Sequence, residues 1–104
     1  PVVSVNYNSL FGSADYTVYM LISEAYYHLK DSESAREWIE KAYTINSFEP
    51  RIQYQMALLE YDAGNSEKAI KYLEYCLEKW ENADADFVPA IEVKQKLSQW
   101  KQLN

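Results

Sequence analysis

The chain has 104 residues with 10 basic and 16 acidic side chains, a net charge of −6. That length is one ordinary domain, able to bury about two-thirds of its unfolded surface, and the negative charge makes a phosphate backbone or an anionic lipid surface a poor partner. The single Cys excludes an internal disulfide and gives no sign of an oxidising compartment, and no apolar run approaches the ~18 residues of a membrane span.

Residues 1 to 14, PVVSVNYNSLFGSA, alternate apolar side chains at Val3, Val5 and Tyr7 and then turn polar and glycine-containing. A run this short has two readings, an arm packed over the neighbouring helices or the remnant of an upstream domain or linker. The N-terminus has no basic region followed by an apolar one. The chain opens at Pro1 instead of Met, so we expect it to be a piece of a longer protein. From Asp15, the residues Val18, Leu21, Ile22, Ala25, Tyr26 and Leu29 step by three and four, which predicts a helix over about 15 to 30 with that stripe buried. Asp31 and Ser32 supply N-cap chemistry for a second helix to about Asn46, with Ala35, Trp38, Ile39, Ala42 and Tyr43 inward. Pro50 suits the first turn of a third helix, in which Ile52, Met56, Leu59 and Ala63 lead to Gly64. Asn65 and Ser66 open a fourth, through Ala69, Leu73, Cys76, Leu77 and Trp80. Asp84 or Asp86 is the expected cap of a fifth, which tolerates Pro89 in its first turn and has Ile91, Val93, Leu97 and Trp100 as its apolar residues.

Connections this short make consecutive helices antiparallel neighbours. The text of the first hairpin then returns. Ala69 repeats Ala35 at an offset of 34 in the numbering, and the same offset pairs Tyr27 with Tyr61, Ser32 with Ser66, Glu33 with Glu67 and Glu40 with Glu74. Similar residues pair as well: Ser23 with Ala57, Asp31 with Asn65, Ile39 with Leu73, and Ala42 with Cys76. Small residues recur where helices approach closely and large ones where a gap is filled, which is the signature of an internal structural repeat.

A 34-residue helix–turn–helix unit with small residues at its eighth, twentieth and twenty-seventh positions resembles the tetratricopeptide repeat family. With Tyr16 and Pro50 as first positions, these fall on Ser23 and Ala57, on Ala35 and Ala69, and on Ala42 and Cys76, and the aromatic eleventh falls on Tyr26. The chain departs from the pattern at the Trp-like fourth position, here Tyr19 and Gln53. It departs again at the second eleventh, Glu60, and at the closing Pro of each repeat, here Ser47 and Glu81. The resemblance implies an all-α, right-handed α-solenoid of antiparallel hairpins with about five helices. Repeat one would cover about 16–49, repeat two about 50–83, and a capping helix about 86–102, with 1–14 outside the repeats and the repeat domain running over 15–104. The stretch KWENADADFVPAIEVKQKLSQW is similar to the end of tetratricopeptide tails in multidomain bacterial proteins, which implies the C-terminal part of a larger bacterial polypeptide.

No chemistry is written in the residues. Cys76 sits at a small-residue position and reads as a core thiol. His28 has no second His or Cys near it, so it reads as a surface or groove side chain and not a metal ligand. Glu37 with Lys41, and Glu67 with Lys71, are spaced as on a solvated helix face. There is no phosphate-binding glycine loop, no framed nucleophile and no paired-carboxylate motif, so the chain is expected to be neither an enzyme nor a holder of metal or cofactor.

The resemblance implies protein–protein interaction along the concave face, lined by the second, fifth, ninth, twelfth and thirteenth residues of each repeat. Here these are Thr17, Met20, Glu24, Tyr27 and His28, then Arg51, Tyr54, Leu58, Tyr61 and Asp62. Apart from Thr17, these are the expected partner-binding residues, with Tyr27 and Tyr61 in equivalent places on one side of the groove. Family members that clamp a chaperone's C-terminal carboxylate carry Lys and Asn at the fifth and ninth positions. Met20, Glu24, Tyr54 and Leu58 stand there instead, which argues against such a clamp. The partner is expected to be a protein or peptide, or an upstream domain of the same chain, with no nucleic acid and no membrane insertion. Two alternatives stay open: the arm or the last helix fills the groove, and the module is a structural tail that docks on its own parent's catalytic domain or pairs with a copy of itself.

Overall fold

The computed structural model describes residues 15–103, so the alternatives for the N-terminal arm lie outside the described residues. Those residues form five helices and no strand: α1 (Asp15–His28), α2 (Ser32–Ile45), α3 (Pro50–Asp62), α4 (Ser66–Lys79) and α5 (Val88–Leu103). The chain divides into two compact units, Pro1–Ser47 and Phe48–Asn104. The first holds the α1–α2 hairpin, and the second holds the α3–α4 hairpin with α5 against α4.

Both hairpins turn by the same device. At the end of α1, the Lys30 N–H donates to the Tyr27 carbonyl and the Asp31 N–H to the Tyr26 carbonyl. At the end of α3, the Gly64 N–H donates to Tyr61 and the Asn65 N–H to Glu60. This is the paired closing bond of a Schellman motif, which places one residue in the left-handed region. That residue is Gly64 (φ 91°) in one repeat and Lys30 (φ 68°) in the other. The caps of the second helices differ. Asp31 accepts from the Ser34 N–H at 3.1 Å, and the bond holds its carboxyl below the usual range. Asn65 makes no such bond at the head of α4; its Nδ2 donates at 2.8 Å to Glu60 Oε1. The fifth helix starts later than either expected Asp cap, at Val88. The Phe87 N–H bonds the Asp84 carbonyl, and the Phe87 carbonyl receives the Ala90 and Ile91 N–H groups.

Small side chains mark the close approaches. In the first unit Ser23, Ala35 and Ala42 are fully buried, and Ser23 Oγ donates to the Ala35 carbonyl at 2.7 Å, tying α1 to α2. In the second unit Ala57, Ala69 and Cys76 are fully buried, and Cys76 Sγ lies 3.1 Å from the Pro50 carbonyl oxygen, to which its thiol donates. Burial pushes that thiol up to about 12, with the Glu49 carboxylate adding to the shift. Cys76 is thus a protonated core thiol.

One sequence expectation is overturned in α1. The stripe through Val18, Leu21, Ile22, Ala25 and Leu29 is not the side turned to α2: Leu21 is 54% and Leu29 72% exposed, Ala25 is exposed, and Val18 and Ile22 are half-buried. The side on α2 is built by Ser23 and by Tyr19, whose ring lies 5.5 Å from that of Trp38. The reason is that α1 is apolar around most of its circumference, so three-and-four stepping fits two faces. The small Ser23, which lets α2 approach, decides between them.

Candidate functional site

The expected contact residues come from the first helix of each hairpin, and each hairpin treats them differently. In α1, Met20 is 2% exposed and belongs to the core. Glu24 and Tyr27 come after it on the same face at helical spacing and are half-buried. His28, the last residue of α1, is exposed, and its ring meets Tyr27 edge-on at 5.9 Å. This end of α1 therefore shows an aromatic edge, an imidazole and a carboxylate side by side.

In α3, Arg51 and Asp62 lie at opposite ends of the helix, both exposed. Arg51 folds back on Glu49 at 3.3 Å, an exposed pair of the kind worth at most about 1 kcal/mol. Between them Tyr54, Leu58 and Tyr61 form one half-buried strip, spaced by four and three in the numbering. All three pack on a core made of Ala57, Ala69, Leu73, Cys76, Val93 and Trp100. The decisive contact is between Tyr61 and Trp100. Their rings are stacked with centroids 4.1 Å apart and planes 4° from parallel, and Trp100 itself is only 5% exposed. The last helix thus lays its indole on the aromatic strip of α3. Burial together with the neighbouring Glu92 carboxylate pushes the Tyr54 hydroxyl up to about 12.

The sequence marks Trp100 and Val93 as apolar residues of α5 and leaves open that the last helix fills the groove, without assigning either residue to α3. Period alone says that a helix has an apolar side, not which element receives it. At the head of α5 a second aromatic pair, Trp80 and Phe87, meets edge-on at 5.4 Å and fixes the turn out of α4. A salt bridge from Lys101 to Glu74, at 3.3 Å, ties the other end of α5 to α4.

Among the described residues no group of three or more His, Cys, Asp or Glu is placed to hold a metal ion, and no helix is long and apolar enough to cross a membrane. A family model described as tetratricopeptide repeat matches residues 16–48 and 50–78. The chain belongs to the tetratricopeptide repeat family. Its two matched segments coincide with the α1–α2 and α3–α4 hairpins, and α5 lies beyond them. Tetratricopeptide repeats are non-catalytic units that generally mediate protein–protein interaction. No curated protein and no solved structure matches the chain.

Proposed function

We propose that this tetratricopeptide domain recognises a protein partner through the first helices of its repeats. The observation that carries this reading is the pair of repeat matches over the two hairpins. In the first unit Glu24, Tyr27 and His28 on α1 offer polar and aromatic edges to a partner segment, with Met20 in the core; in the second unit Arg51 and Asp62 on α3 are exposed and Tyr54, Leu58 and Tyr61 are half-buried. Tyrosine suits such a surface, giving a large amphipathic contact at small entropic cost. The parent, on this reading, is a larger bacterial polypeptide that carries the domain as its C-terminal part.

The test is site-specific photocrosslinking from Tyr27, with the α2 position Glu37 as control, in extracts of the native organism. The trapped protein is then titrated against Tyr27→Ala and Glu37→Ala. Loss of affinity by about tenfold or more in Tyr27→Ala alone is the expected result, and equal affinity for both variants refutes the assignment.

A second reading is favoured in the second unit by the Tyr61–Trp100 stack. There the face of α3 already serves the protein's own last helix, which is the alternative in which that helix fills the groove. Under that reading Tyr54→Ala and Tyr61→Ala lower stability and leave partner affinity unchanged.

A further inference from the structure

The last helix is basic in an acidic chain. Lys94, Lys96 and Lys101 stand in α5 against Glu92 alone, while the whole chain has a net charge of −6. Lys101 reaches Glu74 on α4 at 3.3 Å, so part of what holds α5 is electrostatic. The apolar part rests on few side chains. Ala90, Val93 and Trp100 are the buried residues of α5, and Trp100, stacked on Tyr61, is the one large ring among them. Under this helix Tyr54, Leu58 and Tyr61 stay half-buried, so the strip of α3 is covered without being sealed. Residues 81–86 in the turn from α4 are all exposed, and a swing of α5 about that turn strips none of them from a core.

We propose that α5 is a displaceable occupant of the α3 strip, competing from within the chain against a partner of its own chemistry. That partner is a basic amphipathic helix that lays one large aromatic ring on Tyr61 and sets a cation against Glu74. The inference rests on the reading that the first helices of the repeats receive a protein partner, and it adds what the second repeat accepts and what controls access to it. The resident helix shows the chemistry that fits: an indole stacks on the phenol with planes 4° from parallel, and a Lys follows it in sequence to pair with the carboxylate. An acidic chain draws a cationic helix toward it, whereas a second copy of the chain brings a further −6. The tether holds α5 at an effective concentration of about millimolar. A partner helix therefore gains the strip only when it binds far more tightly than that, or when α5 has been loosened.

The experiment uses the full chain and, as probe, a fluorescein-labelled peptide of residues 86–103 titrated by anisotropy. Wild type is compared with Trp100→Ala, Lys101→Glu, and Trp100→Ala combined with Tyr61→Ala, and amide hydrogen exchange is followed in α5 and in the α3–α4 hairpin. In wild type the α5 amides exchange about tenfold or more faster than the most protected amides of α3, through an opening that leaves the hairpin folded. Trp100→Ala binds the peptide about tenfold or more tighter than wild type, because the resident helix no longer competes, and adding Tyr61→Ala abolishes the gain. If Trp100→Ala fails to fold, Lys101→Glu replaces it. That change alters only an exposed pair, and it raises α5 exchange and peptide affinity by about threefold. The proposal is overturned if the amides of α5 and of the hairpin exchange together at one rate, which makes α5 a permanent part of the core. It is equally overturned if wild type and variants bind the peptide alike or not at all, or if light scattering finds the full chain dimeric and Lys101→Glu monomeric, which assigns the strip to the α5 of a second copy. None of these outcomes involves Tyr27 or the trapped partner, so failure here leaves the photocrosslinking test of the proposed function intact.

Discussion

Replacing Trp100 by Ala separates a helix that is docked from one that merely comes after the repeats in sequence. The indole is 5% exposed and belongs to the core of the second unit together with Ala57, Ala69, Leu73, Cys76 and Val93. An aromatic side chain in such a place removes about 200 Å² from water, worth about 5 kcal/mol at ~25 cal/mol per Å². Measured Trp and Phe truncations in cores cost about 3–5 kcal/mol. A domain of this size has only about 5–15 kcal/mol of stability in total, so the variant should lose a large part of it. The stack on Tyr61, at 4.1 Å and nearly parallel, contributes about 0.5–1.5 kcal/mol beyond burial. That part is read by a cycle of Trp100→Ala, Tyr61→Ala and the double variant. Urea unfolding monitored by far-ultraviolet circular dichroism is the suitable assay, because Trp38 and Trp80 would confuse a fluorescence signal. A loss below about 1 kcal/mol for Trp100→Ala, or a coupling indistinguishable from zero in the cycle, would refute the docking of α5 on the α3 strip.

The turn residues give a matched pair of tests. Gly64→Ala places a Cβ at φ 91° in open space, so its expected loss of about 1 kcal/mol reports backbone strain alone. Lys30→Gly at the equivalent position relieves strain and should be neutral to stabilising by up to about 1 kcal/mol. Thermal melts showing the opposite order would contradict the shared Schellman geometry. Ala69, fully buried, leaves no room for a branched chain, and Ala69→Leu should cost about 1–3 kcal/mol by overpacking; an unchanged melting temperature would disprove the close approach. Alkali should unfold the second unit in a definite window. Cys76 and Tyr54 are both raised to about 12, from ordinary values of 9.0 and 10.0. Each favours the neutral form in the fold, so its stabilisation is complete below about pH 9 and is lost as the pH rises toward about 12. Urea midpoints should be flat up to about pH 9 and fall above it, with Cys76→Ala removing the early part of the fall; a curve that Cys76→Ala leaves unaltered would contradict this account.

The five helices and the repeat between the hairpins were legible without coordinates. A three-and-four apolar step and a recurrence at fixed offset are properties of the linear chain, and Pro50, Gly64 and Asp31 mark helix ends by local chemistry. The positions of Ala35, Ala69, Ser23 and Cys76 at close approaches came from size alone, since only small side chains let two backbones come near. What the sequence could not decide was which element each face meets. In α1 two apolar faces satisfied one period, and only packing showed that Met20 and Ser23 are inside while Leu21 and Ala25 are outside. In α3 the strip Tyr54, Leu58, Tyr61 reads equally well as a surface for a partner or as a bed for the last helix. The stacking of Trp100 on Tyr61, two helices away along the chain, shows that the last helix meets this strip, a contact that no local pattern announces. Helix formation is governed by neighbours within one turn, whereas the partner of a helix face is chosen by surfaces far apart in sequence, and that choice exists only in the folded chain.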